Sequence, residues 1–474
     1  MGLLQTGASI LTALLIGALT RSNWRIYLLL ACSVLAVYWF QPLLPLRSFD
    51  FWLPSLSLAL VILTWLITSQ PGAWRLPQNI IGLSILLGLV TFIDLSRYFL
   101  PDPVLTATTP PPFIQYIIFA LLVGLTLFVF TWISRRSPWA IWISILLLIL
   151  ILIALKNPEL SLQASIFLRT LAKRSIENAS FTDLRWLGFS YLAFRLIHVL
   201  RDRQTARLPE LSLPEFATYV VFFPALVAGP IDRAERFAQD LRNEFTLSQD
   251  AVLLAGQRIF LGLFKKFVIA DALALIALND ALATQVRTTG WMWIILYAYA
   301  FQIYFDFSGY TDIAIGTAQL VGIKLPENFA APYTKPNLTQ FWNNWHMTLT
   351  QWFRSYFFNP FNRWMRGSKK NIPAWTMILV GQVATMLLIG LWHGITLNFI
   401  FWGLWHGLGL FLQNRWSDFV RRRYPDVGQN PRLQPVLQIG GILLTFHFVA
   451  LGWVFFALSD PTLSGLVFRK LFGM

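Results

Sequence analysis

The sequence predicts an all-α polytopic membrane protein with about eleven to thirteen membrane helices. Three observations predict it. First, 56% of the 474 residues are apolar and only 12% are charged, whereas soluble domains run nearer 45–50% and 25%. The mean hydropathy is +0.59. Second, the apolar residues gather in runs about 20 residues long without strict alternation, which selects helices over barrel strands. Third, the net charge of +15 sits in short connections between those runs, as basic cytoplasmic loops do. Together these exclude a soluble globular enzyme, a disordered chain and a disulfide scaffold. The single cysteine, Cys32, lies in an apolar run and reads as a small buried hydrophobe. No nucleic-acid motif accompanies the basic balance, so the expected environment is the lipid bilayer.

The runs follow one another along the chain. The first six are near Ile10–Leu19, Trp24–Phe40, Leu53–Thr68, Ile80–Leu100, Phe113–Ile133 and Trp139–Leu155. Later ones lie near Leu184–Leu200, Phe216–Val227, Ala251–Ile276, Trp291–Phe305, Trp375–Trp392, Phe399–Leu412 and Val436–Phe456. The first reads as a retained span rather than a removed signal peptide. Pro101–Pro112 lacks basic residues and reads as extracytoplasmic; Arg135, Arg136, Arg201, Arg203 and Arg207 read as cytoplasmic. Lys156–Arg185 is basic, yet simple alternation puts it outside. Either one span is misread, or Ser161–Ile176 lies flat in the interface. Gly229–Phe245 and Gly322–Lys370 break the apolar pattern. Irregular backbone at membrane depth survives only where it is covered by protein or lines a wet cavity, so function is expected there.

Ionisable residues inside apolar stretches are costly and point to function. Asp306 and Asp312 flank Gly309, six residues apart, which does not place them on one helix face. Two readings stay open for Asp306: holding a helix broken at Gly309, or lining a site. Asn337–Phe358 reads as one helix, with Asn343, His346, Thr350 and Arg354 as its polar stripe. His393 ends an apolar run and precedes Gly394, with Thr396 and Asn398 beyond. A neutral imidazole beside a narrow opening suits a general base for a hydroxyl nucleophile; an interhelical hydrogen bond is the alternative. His406 and His447 read as structural, and His198 as interfacial. No metal pattern, P-loop, dinucleotide fingerprint or nucleophile elbow is present, so no metal site and no bound cofactor are expected.

Several runs resemble one family. They are Gln302–Asp312 (QIYFDFSGYTD), Leu325–Phe329 (LPENF), Phe341–Leu349 (FWNNWHMTL) and Gly390–Gly394 (GLWHG). Phe223–Ile231, Gly262–Lys266, Ile269–Asp271, Thr445–Phe448 and Gly452–Phe456 support them. The family is the membrane-bound O-acyltransferases, in the bacterial branch of alginate O-acetylation and D-alanyl transfer proteins. The alginate-type wording is the nearer, particularly at Asp306–Asp312 and Pro326–Phe329. The resemblance covers roughly Leu187 to Met474. It implies a ring of helices around a central tunnel at a thinned membrane centre. It also implies that His393 is the principal catalytic residue and that His346 is its companion. From the residue pattern itself, Asn343, Thr350, Arg354, Asp306 and Asn398 are expected to line or position the site.

The chemistry so implied is transfer of an acyl group, foremost acetyl, from a cytoplasmic thioester to a hydroxyl across the membrane. The donor would be acetyl-CoA or an acyl-carrier thioester. An extracytoplasmic SGNH-like acetyltransferase would be the partner, an exported polysaccharide the final acceptor, and the inner membrane the location. D-alanyl transfer to teichoic-acid-type polymers is the alternative within the family. A transporter or a non-catalytic scaffold is the alternative outside it. Polar features in the second half alone argue against a transporter built from repeats. No motif falls in residues 1–100, which are expected to be accessory helices beside an acyltransferase core at 101–474.

Overall fold

A computed structural model describes the chain except residues 1, 20–21, 135, 138, 368–371 and 426–429, with residues 22 and 23 described by backbone alone. Arg21, Arg135 and Lys370 thus lie outside the described residues. Every regular element among the described residues is a helix, apart from one isolated bridge between Phe329 and Trp345. Among them, six helices are long and apolar enough to cross a bilayer: Phe49–Thr68, Pro77–Tyr98, Phe113–Ser134, Trp139–Lys156, Ala374–His393 and Gln434–Ala457. Leu3–Leu19 and Trp24–Trp39 are apolar but shorter. The protein is a multi-pass, all-α membrane protein. The other predicted spans fall on helices that are shorter or more polar than this criterion admits. The chain divides into two compact units, Met1–Ile259 with Ile313–Pro326, and Phe260–Asp312 with Glu327–Met474.

The first unit holds α1 (Leu3–Leu19), α2 (Ser22–Trp39), α3 (Phe49–Thr68), α4 (Pro77–Leu95), α5 (Phe113–Ser134), α6 (Trp139–Lys156), α7 (Pro158–Leu171), α8 (Phe189–Gln204), α9 (Leu213–Val221) and α10 (Ala234–Arg242). Helices α2, α3 and α4 pack on α8 and α9. Tyr38, Phe51 and Trp65 are buried with Phe189, Phe216, Tyr219 and Phe237. Helix α5 is mostly exposed and highly apolar, as a lipid-facing span is. At 14 residues, α7 reaches only about 21 Å, too short to cross. The guanidinium of Arg201 lies over the Trp142 ring, so α6 begins where α8 ends. Helix α7 follows the other end of α6 and packs on it. One of its basic residues is neutralised internally, since Arg169 pairs with Asp183 at 2.7 Å.

His198 is buried rather than interfacial. Its Nε2 meets the Asp202 carboxylate at 2.8 Å and its Nδ1 lies 3.2 Å from the Tyr219 hydroxyl. Helix α8 is packed on both sides here, which the neighbouring basic loop conceals in the sequence.

The second unit holds most of the resemblance motifs. Following α11 (Gln249–Phe264), a π-helical segment, Lys265–Ala270, leads into α12 (Asp271–Ala274), α13 (Asp280–Gln285) and the 31-residue α14 (Thr289–Gln319). Helix α14 is unbroken at Gly309, contrary to expectation. The glycine serves a close crossing: a Cβ there would lie 2.8 Å from the Gly262 carbonyl oxygen and the Lys266 nitrogen. The flanking acids are held across this crossing. Lys265 donates to Asp312 at 2.7 Å, and Lys266 pairs with Asp306.

Next come α15 (Leu338–Asn344), α16 (Met347–Phe353), α17 (Asn359–Arg366), α18 (Ala374–His393), α19 (Leu397–Arg423), α20 (Gln434–Ala457) and α21 (Pro461–Leu471). The predicted single helix over 337–358 is two helices. His346 stands between them in a left-handed conformation, φ 42°. The turn is fastened by Ala330 N–H to the Asn344 carbonyl at 3.1 Å and Met347 N–H to the Asn328 carbonyl at 2.9 Å. Helices α18 and α19 form a tight hairpin, where a Cβ on Gly403 would sit 2.8 Å from the Leu387 Cα. Gly390 and Gly407 are helix-packing glycines of the same hairpin, facing Phe399 and Val383.

Candidate active site

Two of the five histidines share one cavity. It measures about 50 Å³ and is lined by His346 and His393, with Phe307, Trp342, Trp345, Leu349, Thr350, Ile389, Trp402, Trp453 and Phe456 among its walls. Helix α14 contributes Ile303 and Phe307; the α15–α16 turn contributes His346; the end of α18 contributes His393. Phe307 stands edge-on to the His346 ring, with centroids 4.6 Å apart.

The His346 ring is fixed by Asn328. The carboxamide Oδ1 of Asn328 lies 3.2 Å from Thr348 N–H, 2.8 Å from Thr348 Oγ1 and 3.1 Å from His346 Nδ1. A backbone N–H can only donate, so the Asn328 atom facing it is the oxygen and the amide orientation is settled. That oxygen can only accept, so His346 carries its proton on Nδ1. In the neutral ring Nε2 is then a lone-pair acceptor. Nε2 is buried and has no hydrogen-bond partner among the described residues. His346 is 3% exposed and Asn328 is fully buried, so this orientation is held in a dry setting.

His393 is half-buried among rings: Trp392 at 4.6 Å, Phe456 at 4.7 Å, Trp402 at 5.8 Å and Phe399, stacked, at 5.9 Å. Gly394 makes room for the Phe399 ring, because a Cβ there would lie 2.7 Å from Phe399 Cε2.

The remaining predicted residues separate. Thr350 lines the histidine cavity. Asn343, Thr350 and Arg354 line a neighbouring cavity of about 170 Å³, which shares Trp342, Thr350 and Ile389 with the first. Arg354 donates to the Asn343 Oδ1 at 2.6 Å, which aims its guanidinium along this second wall. Asp306 is engaged by Lys266 and lines neither cavity. Asn398 donates to the Leu458 carbonyl at 2.7 Å and accepts from Ser464 at 3.3 Å, so it ties α19 to the α20–α21 connection. His406 is fully buried against Trp342 and Trp402, behind the cavity wall, with centroids 5.0 and 4.9 Å away. His447 spends its Nδ1 on the Leu443 carbonyl one turn back.

Sequence reasoning missed Asn328 and Trp342. Asn328 stands within LPENF, and an amide in an otherwise apolar motif was the available signal. A larger cleft of about 1000 Å³ lies in the first unit, with Glu215 and Arg242 in its wall. Burial works against the Glu215 charge, but hydrogen bonds from Arg242 and Ser212 outweigh it and hold the carboxyl below its usual range.

The profile of the membrane-bound O-acyltransferase family matches residues 138–449. The chain is 34% identical over 278 residues to the teichoic acid D-alanyltransferase of Bacillus subtilis, covering 58% of this chain and 69% of that one. It is 34% identical over 288 residues to a probable alginate O-acetylase of Pseudomonas aeruginosa, covering 60% and 51%. It is 36% identical over 268 residues to the peptidoglycan O-acetyltransferase of Helicobacter pylori, covering 55% and 47%. The chain thus spans about half the length of these acetyltransferase relatives. Identity is 30–34% to the D-alanyl type and 33–34% to the alginate type, and does not separate them.

Proposed function

Because the chain belongs to the membrane-bound O-acyltransferase family, we propose that it transfers acetyl from a thioester to a hydroxyl, with both steps in the His346–His393 cavity. The hydroxyl oxygen forms a bond to the thioester carbon. Its proton passes to His393, the carbon–sulfur bond breaks, and the proton goes on to the leaving thiolate. His346 accepts through Nε2 and positions the hydroxyl. A role in stabilising negative charge would require a proton on Nε2, which the Asn328 contact leaves off the neutral ring.

The size and chemistry of the cavity carry the choice of acetyl. About 50 Å³ has room for roughly four water-sized groups. That suits an acetyl group and one hydroxyl oxygen, and is far too small for a fatty chain. Its lining holds no carboxylate, so the ammonium of a D-alanyl group would be buried without a counter-charge, at a cost of several kcal/mol. The D-alanyl reading is supported by the D-alanyltransferase relatives of Bacillus subtilis and Streptococcus thermophilus.

The remaining parts of the proposal follow the family resemblance. Acetyl-CoA or an acyl-carrier thioester is the donor, delivered from the cytoplasm through a tunnel. An extracytoplasmic SGNH-like partner passes the group to an exported polysaccharide, and the inner membrane is the site. Residues 1–100 are accessory to a core at 101–474. The test is transfer in isolated membranes from radiolabelled acetyl-CoA, acetyl-loaded carrier protein and D-alanyl-loaded carrier protein. Acetyl transfer from either acetyl donor is expected. Transfer of D-alanyl alone would overturn the assignment.

A further inference from the structure

The cavity beside the histidine pair holds two unspent polar groups. It measures about 170 Å³ and shares Trp342, Thr350 and Ile389 with the histidine cavity. Part of its wall is apolar, with Met386 and Leu410. Two of its hydroxyls spend their protons on the protein: Thr385 on the Gly381 carbonyl at 2.6 Å, and Thr339 on Gln413 Oε1 at 2.7 Å. Gln382 Oε1 and Trp342 Nε1, by contrast, are buried with no hydrogen-bond partner among the described residues. Trp342 is only 7% exposed. One acceptor and one donor on the same cavity wall thus carry the desolvation cost of an unmade hydrogen bond.

The order of residues along two helices gives this cavity its side. On α18, His393 lines the first cavity, Ile389 both and Gln382 the second. On α19, Trp402 lines the first, Leu410 and Asn414 the second, and the helix runs on to Arg421, Arg422 and Arg423. A basic helix end marks the cytoplasmic side. The second cavity therefore lies cytoplasmic of the histidines, where the proposed thioester arrives. Gln382 precedes His393 by eleven residues of one helix, roughly 16 Å along its axis.

We propose that Trp342 and Gln382 read the amides of the donor's arm, and that Gln382 thereby selects donors whose arm has the length of pantetheine. The inference rests on the acyl-transfer reading above. An amide offers an N–H to Gln382 Oε1 and a carbonyl to Trp342 Nε1–H, so amides complete both groups. Beyond its sulfur a pantetheine arm carries two amides and is about four extended residues long, roughly 14 Å. From a thioester at His393 it reaches Gln382. An N-acetylcysteamine arm carries one amide over roughly 6 Å, and ends at the shared wall where Trp342 stands. About 170 Å³ has room for roughly twelve water-sized groups, which suits a slender arm. A hydrocarbon chain would fill the same space and leave both polar groups unpaired.

The test uses full-length protein in lipid nanodiscs with two labelled donors, S-acetylpantetheine and S-acetyl-N-acetylcysteamine, for wild type and Gln382→Met. Methionine keeps the length of the side chain and removes its amide. Wild type is expected to show kcat/KM at least about tenfold higher with the pantetheine donor. Gln382→Met is expected to lower that value by about tenfold, mainly through KM, and to leave the shorter donor unchanged. Should Gln382→Met not fold, Gln382→Asn, which draws the amide back by one carbon, takes its place. Equal use of both donors by wild type, or equal losses with both in the variant, overturns the inference and leaves acyl transfer standing. A variant that changes the KM of the acceptor and not the donor preference puts the acceptor in this cavity, and overturns it too. Wild type that fails with the pantetheine donor likewise overturns it; failure with acetyl-CoA and acetyl-loaded carrier protein as well overturns the acyl-transfer reading itself.

Discussion

Replacing Asn328 with Leu keeps the shape of the side chain and removes its oxygen. That oxygen serves three donors: Thr348 N–H, Thr348 Oγ1 and His346 Nδ1. All belong to buried residues. A buried donor stripped of its partner costs about 1–3 kcal/mol, so losing this shared acceptor costs at least about 1 kcal/mol, a sizeable share of a typical folding free energy. The His346 ring also loses what fixes its tautomer. Where an enzyme histidine loses such a partner, rate losses reach about 10⁴-fold. His346 is read as a positioning acceptor, so a smaller loss, about 10- to 1000-fold in transfer rate, is expected. The assay is acetyl transfer from labelled donor by purified protein in nanodiscs, normalised to the folded fraction. Asn328→Asp keeps the acceptor and is expected to retain more of both stability and rate than Asn328→Leu. A folded Asn328→Leu protein with wild-type turnover would refute the claim that this contact sets the working form of His346.

His346→Ala is expected to lower turnover by about 10²-fold or more. His198→Ala should lower the unfolding midpoint, through loss of the Asp202 and Tyr219 contacts, while leaving turnover per folded molecule near wild type; equal effects on turnover would make His346 merely structural. Ile389 separates the two cavities, so Ile389→Ala should raise the rate with propionyl relative to acetyl donor by about tenfold or more, and an unchanged ratio would show that this wall does not select the acyl group. Glu215 has its carboxyl held below the ordinary value of 4.5. Its contribution to stability is therefore present above that pH and lost as pH falls through the lower folded value. The unfolding midpoint of wild type should drop more than that of Glu215→Gln on acidification from neutral pH, and parallel curves would show that the Arg242 contact contributes nothing.

The membrane class and the histidine pair were legible because both rest on local signals, namely apolar runs and short motifs. The turn at His346 was not. Asn343, His346, Thr350 and Arg354 recur at helical spacing, and the chain breaks within that pattern at a non-glycine residue in left-handed conformation. The break is held by Asn328 and Ala330, which lie about one turn-and-loop earlier in the chain and leave no periodic trace. The acids flanking Gly309 misled in a similar way. Their partners, Lys265 and Lys266, stand on another helix, and one sequence without relatives does not reveal such pairings. The glycine itself marked a crossing of two backbones, which looks the same in sequence as a broken helix. Asn398 shows the reverse case: it stands near His393 in the sequence, but its amide joins helices through Leu458 and Ser464.

The central claim is that the His346–His393 cavity performs acyl transfer with His393 as the base. Its most direct measurement is single-turnover transfer of labelled acetyl from the donor to a hydroxyl acceptor by full-length protein, comparing wild type with His393→Ala at equal folded amounts. The account predicts a loss of about 10²–10⁴-fold in the rate of the chemical step with little change in the unfolding midpoint. A His393→Ala protein that transfers acetyl at the wild-type rate would contradict it.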